Sequence, residues 1–109
     1  MAFYLQTKDI KGRPVTCTKK QWENHILKTH DYMYNEENSV IKAIENPDGA
    51  VVYIDKNYPK RRLYYKKNQK EGYYTKAVVE FKDEDGGGVG TLMTAYLPDN
   101  VRPGDSLDL

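Results

Sequence analysis

The sequence predicts an α+β fold, with an N-terminal β-hairpin and two helices packed on one face of a four-stranded antiparallel sheet. Three observations lead there. Apolar residues recur every three or four positions between residues 18 and 45, a helical period. Period-two alternation takes over between residues 50 and 97. Turn residues separate the alternating runs, so helices come first and strands in hairpins follow, the order expected of helices lying on an antiparallel sheet. With 109 residues the chain is expected to be one domain, residues 1–109, since two cores of half that size would be too small to hold together.

Each element has its own signal. Residues 3–6 are short, aromatic and weakly alternating, and residues 13–17 return after a turn at 9–12. Thr18 and Gln21 match a capping box, so a helix starts there, with Trp22, Ile26 and Thr29 on one stripe. A loop at 31–35 leads to a second helix, capped by Asn35 or Asn38, whose apolar face is Val40, Ile41 and Ile44. Asn46-Pro47-Asp48-Gly49 ends it. Strands are expected at 50–55, 62–66, 74–82 and 89–97, with a short extended tail at 101–109. The Gly86-Gly87-Gly88 run reads as a hairpin tip, since no Gly-Lys-Ser/Thr and no helix follow it.

Charge is segregated although its formal sum is only +1. Residues 56–70 hold seven of the seventeen basic side chains and no acid, with Tyr58, Tyr64 and Tyr65 threaded through them. Cations interleaved with rings suit a polyanion with exposed bases. Near-neutrality overall argues against a non-specific nucleic-acid binder, which is usually basic throughout. No run approaches the roughly 18 apolar residues of a membrane span. The N-terminus lacks the basic-then-apolar pattern of a signal peptide. The single Cys17 can form no internal disulfide, and a cytoplasmic protein without a membrane partner is expected.

Alternation also assigns faces. Ala77, Val79 and Phe81, then Leu63 and Tyr65, then Met93, Ala95 and Leu97 are expected under the helices. Arg62 and Tyr64, Lys76, Val78 and Glu80, and Thr94 and Tyr96 would then share the helix-free face. His25 and His30, five apart, sit about 140° apart around an ideal helix. That spacing disfavours a shared metal site.

The residues carry a resemblance. Thr18-Lys19-Lys20-Gln21-Trp22, His25-Ile26 and His30 are followed by Val40-Ile41 and Ile44-Glu45-Asn46-Pro47-Asp48. Arg62-Leu63-Tyr64-Tyr65-Lys66, Lys76-Ala77-Val78-Val79-Glu80, Gly90 and Thr94-Ala95-Tyr96 complete the pattern. It resembles the phage-associated nuclease families grouped with barnase, EndoU, the tRNA-cutting colicins and RelE (the BECR fold). The resemblance covers about residues 16–97. It implies a barnase/RelE-like sheet and a metal-independent endoribonuclease, toxin-like or phage-related, that needs no cofactor. It also implies RNA as partner, either tRNA or ribosome-associated mRNA, an antitoxin or immunity protein, and a bacterial or phage-infected host cytoplasm.

Such cleavage uses the substrate's 2′-hydroxyl as nucleophile and leaves a 2′,3′-cyclic phosphate. It needs a base, an acid and groups that offset the charge on the phosphate. His30 is expected to transfer the proton, with His25 as alternate. Arg62 would clamp the phosphate, helped by Lys76 and positioned by Thr94 and Tyr96. Tyr64 would stack a base, and Arg61, Tyr65 and Lys66 of the basic stretch would bind substrate. The alternative is a non-catalytic RNA-binding or protein-interaction module on the same scaffold.

Overall fold

In the computed structural model, which describes residues 3–102 and 106–109, the chain opens with β1 (Leu5–Lys8) and β2 (Pro14–Cys17). Asp9 makes the turn between them. Its carboxylate accepts from the backbone N–H groups of Lys11 at 3.0 Å and Arg13 at 2.8 Å. Gly12 completes the turn with φ +81°, a conformation an L side chain rarely adopts.

The helical layer begins at Thr18, whose hydroxyl accepts from Gln21 N at 3.1 Å. The reciprocal half of the capping box does not form, because the Gln21 amide donates to the Met93 carbonyl at 2.7 Å instead. Three segments follow without a break: α1 (Lys19–Gln21), a π-helical turn (Trp22–Ile26) and α2 (Leu27–Thr29). A 3-10 turn (Asp31–Met33) leads to α3 (Glu37–Glu45). Neither Asn35 nor Asn38 caps α3. Glu36 occupies the cap position without a side-chain bond, and Asn35 instead turns the chain at φ +64°. A second 3-10 turn (Asp48–Ala50) takes up part of the strand expected at 50–55 and leaves only β3 (Tyr53–Ile54).

The remaining elements are β4 (Arg61–Lys67), β5 (Tyr74–Glu80), β6 (Gly90–Tyr96) and β7 (Ser106–Leu107). The α+β character stands, but the four-stranded antiparallel sheet does not. Among the described residues, one mixed sheet of seven strands runs β1-β2-β6-β5-β4-β3-β7. The N-terminal hairpin is part of it, because β2 lies parallel to β6, with Val15 opposite Gly90 and Thr16 opposite Thr91. Every other pairing is antiparallel. Alternation shows that a segment is a strand but not which strand it lies beside. A parallel partner 75 positions away leaves no local mark, and a two-residue strand such as β7 is too short to alternate.

Gly90 shows how close the packing is where β2 joins. A Cβ there would lie 2.6 Å from Val79 and 2.8 Å from Phe81, inside van der Waals contact. The main core lies between the sheet and the helices and includes Trp22, Ile26, Met33, Val40, Ile44, Val79, Phe81 and Leu92. Burying a side chain such as Ile26 contributes about 1.5–3 kcal/mol. A smaller cluster, Leu63, Tyr65 and Val78, lies on the opposite face, packed against Tyr53, Tyr74, Met93 and Val101.

That second cluster corrects the expected faces. Tyr64 points into the main core with Ala77 and Ala95, whereas Leu63 and Tyr65 do not. The rows of β4 are therefore inverted relative to expectation, and Arg62 goes with Tyr64. A one-residue change of register exchanges the two faces of a strand, and two adjacent tyrosines give no sign of which one is inside. β6 carries a second surprise. A bulge opposite Val78 and Val79 pairs them with Thr94 and Leu92, so Met93 joins the helix-free cluster instead of the core.

Candidate functional site

Two polar clusters contain most of the expected site residues. The first surrounds Arg62, which is only 1% exposed. Its guanidinium donates to Asp108 Oδ2 at 2.9 Å, to the Pro59 carbonyl at 2.8 Å and to the Glu84 carbonyl at 2.6 Å. Asp108 also pairs with Arg13 at 2.8 Å, and Arg13 pairs with Asp9 at 2.8 Å. The Tyr64 hydroxyl donates to Asp9 at 2.7 Å, and burial followed by that bond pushes its pKa up. Although burial opposes its charge, bonds from Arg13 and Arg62 hold the Asp108 carboxyl below the usual range. Arg62 and Tyr64 are thus held in a network of paired charges beneath the sheet, away from the helix-free face.

The second cluster is on that face. Tyr65 of β4 is opposite Lys76 of β5, and Lys76 is opposite Tyr96 of β6. Lys76 is 4% exposed, and its Nζ lies 5.2 Å from the centroids of both tyrosine rings. Burial works against its charge, but the combined attraction of the Tyr96 and Tyr65 phenols outweighs burial and raises the pKa, so the ammonium persists. None of the ion pairs among the described residues includes Lys76.

His30 completes the row. The helix ends at Thr29, and His30 leaves it with φ −134° and ψ 76°. Its ring stacks on Tyr96 at 5.2 Å, and its Nδ1 lies 3.1 Å from the Tyr32 hydroxyl. The helix reaches this strand because β2 covers only the Gly90–Thr91 end of β6. Beyond it the Gln21 amide reaches the β6 backbone at the Met93 carbonyl. Burial, then repulsion from His25, lowers the His30 pKa and favours a neutral imidazole.

The other expected residues are more scattered. His25 is exposed, and it acts on His30 only through its charge. Thr94 is half-buried opposite Val78, on the face of Lys76. Arg61 pairs with Glu80 at 3.2 Å and lies over the Tyr58 ring at 4.4 Å. Lys66 donates to the Asn46 carbonyl at 3.1 Å. Sequence reasoning missed Tyr32, two residues after His30, and the partners Asp9, Arg13 and Asp108. The first was signalled by its place beside a candidate base. The others come from turns and a tail with no motif. Cys17 is buried, which pushes its thiol up to about 11 and removes it as a nucleophile.

Among the described residues no helix is long and apolar enough to cross a membrane, and no group of three or more His, Cys, Asp or Glu is arranged to hold a metal. The chain matches no protein-family model, and neither curated proteins nor solved structures include a significant match.

Proposed function

We propose that the protein is a metal-independent endoribonuclease whose reacting groups are the His30–Tyr96–Lys76 row on the helix-free face. The observation that carries this reading is Lys76: a buried ammonium with phenols on both sides and no carboxylate paired to it among the described residues. A buried cation is normally neutralised by an acid, so an unneutralised one suits an anionic ligand. A phosphate beside it would lie next to a histidine biased toward its neutral form.

The roles follow from those properties. His30 accepts the proton of the 2′-hydroxyl, and the 2′-oxygen bonds to phosphorus as the bond to the 5′-oxygen breaks. Tyr96 hands its phenolic proton to the departing oxygen, and the proton held by His30 is then returned to Tyr96 through water, which restores both groups. Lys76 offsets the charge that grows on the non-bridging oxygens, in a site where water screens it little. Arg62 has no part in this scheme, because its donors are already engaged by Asp108 and backbone carbonyls.

The test is cleavage of tRNA, ribosomal RNA and an unstructured oligomer in excess chelator, comparing the wild-type protein with His30→Ala. Cutting that leaves 2′,3′-cyclic phosphate ends and falls roughly a hundredfold in the variant is expected. Cutting unaffected by the substitution would sink the assignment. Salt-sensitive RNA binding without cutting would leave a binding module in its place.

A further inference from the structure

The row of rings continues beyond the reacting groups. On one side Tyr65 meets Tyr53 edge-on at 5.7 Å. Beyond them lies a cavity of about 400 Å³, walled by Tyr53, Tyr65, Tyr74 and Val101, with Lys67 and Asp48 at its polar side. On the other side His30 meets Tyr32 at 5.6 Å, and a hollow of about 250 Å³ opens between Tyr32, Tyr73 and Leu97, with Lys70 beside it. Tyr32 and Tyr73 are 48% and 39% exposed. Tyr65 thus serves two neighbours, the Lys76 ammonium and the cavity wall.

We infer that the site takes single-stranded RNA crossing the strands, with the base on the Tyr65 side of the reacting phosphate seated in the Tyr53–Tyr65–Tyr74 cavity. The inference rests on the ribonuclease reading and adds the form of its substrate. Rings on successive strands with cations between them make a stacking platform that any unpaired base can use. The cavity is the size of a small-ligand site, and its walls are apolar with a polar edge, as a base is. Lys67 and Lys70 offer charge to the flanking backbone. A duplex keeps its bases stacked inside and leaves nothing to enter the cavity.

Binding can be measured apart from chemistry. Labelled 2′-O-methyl hexanucleotides, which lack the attacking hydroxyl, would be compared by fluorescence anisotropy as base-bearing, abasic and duplex forms of equal charge per strand. Base-bearing single strands are expected to bind roughly tenfold tighter than abasic or duplex ones. Tyr53→Ala should remove most of that preference. Val101→Trp, which fills the cavity without deleting a wall, should remove it even if Tyr53→Ala folds poorly. Equal binding of base-bearing and abasic strands, or a preference untouched by Val101→Trp, overturns the inference. Cleavage with no such preference would leave the ribonuclease reading standing and this one not. The preference without cleavage would remove the ribonuclease reading and leave only the seating of an unpaired base in the cavity.

Discussion

The Arg62 cluster and the Lys76 cluster use the same kinds of residue toward opposite ends. Each has a cation almost wholly removed from solvent on adjacent strands of one sheet, and each has tyrosines for neighbours. Around Arg62 every neighbour answers a charge: Asp108 faces two guanidiniums, and Asp9 faces Arg13 and the Tyr64 hydroxyl. Around Lys76 the neighbours are rings and phenols, which tolerate a cation without cancelling it. Arginine beside tyrosine in a sequence therefore says little about binding. What separates the two clusters is whether the charge has been neutralised within the fold.

The comparison can be broken most decisively at Arg62. Arg62→Ala removes one of the two guanidiniums that face Asp108 and the donor to the Pro59 and Glu84 carbonyls, and a loss of about 3–5 kcal/mol in urea unfolding at unchanged slope is expected. Normal stability with lost RNA cleavage would instead make Arg62 a reacting group. Lys76→Met should act in the opposite sense. Cleavage should fall about 10²–10³-fold, as when one charge-stabilising donor is removed. The unfolding midpoint should stay level or rise, since no ion pair is broken. A severe loss of stability there would mean that the ammonium holds the sheet together.

Smaller effects sharpen the contrast. Tyr64→Phe removes one hydroxyl bond to Asp9 and should cost about 1.5–3 kcal/mol of stability while cleavage stays normal in the folded fraction. The subtlest readout is the pH profile. Neutral His30 is the form that accepts a proton, and its pKa is lowered, so the rate should rise with pH through a midpoint below the ordinary histidine value of about 6.5 and level off above it. His25→Ala removes one repelling charge and should move that midpoint upward. An unmoved midpoint would assign the titration to another group.

Much of the fold could be read from local pattern, and its assembly could not. Thr18 marked a helix start, and the alternation of residues 74–80 marked β5, because both depend on near neighbours. The parallel β2–β6 pair and the inversion of β4 depend on partners far away in the chain, about which alternation is silent. The candidate site divides the same way. His30, Lys76, Tyr65 and Tyr96 were on the expected roster and meet in one row. Arg62 is expected with them from the strand motif and the assigned face, and the inverted rows of β4 put it on the other face. Tyr53 and Tyr74 were visible as tyrosines, but the cavity between them exists only once Val101 of the tail is laid alongside.

The tail also orders events in time. Lys11 donates to the backbone carbonyls of Asp108 at 2.6 Å and Leu109 at 2.8 Å, across 97 and 98 residues. The antiparallel meander β4–β5–β6 needs only nearby partners and is expected to form early. Asp9 answers Arg13 within the turn that follows β1, but Lys11 and the second contact of Arg13 must wait for a residue made almost a hundred positions later. On a ribosome, Arg13 and Arg62 would therefore lack Asp108 until residue 108 has been made. The cavity wall at Val101 would likewise arrive after the strands it covers, so the protein is expected to acquire its central sheet before the Tyr53–Tyr65–Tyr74 cavity is closed.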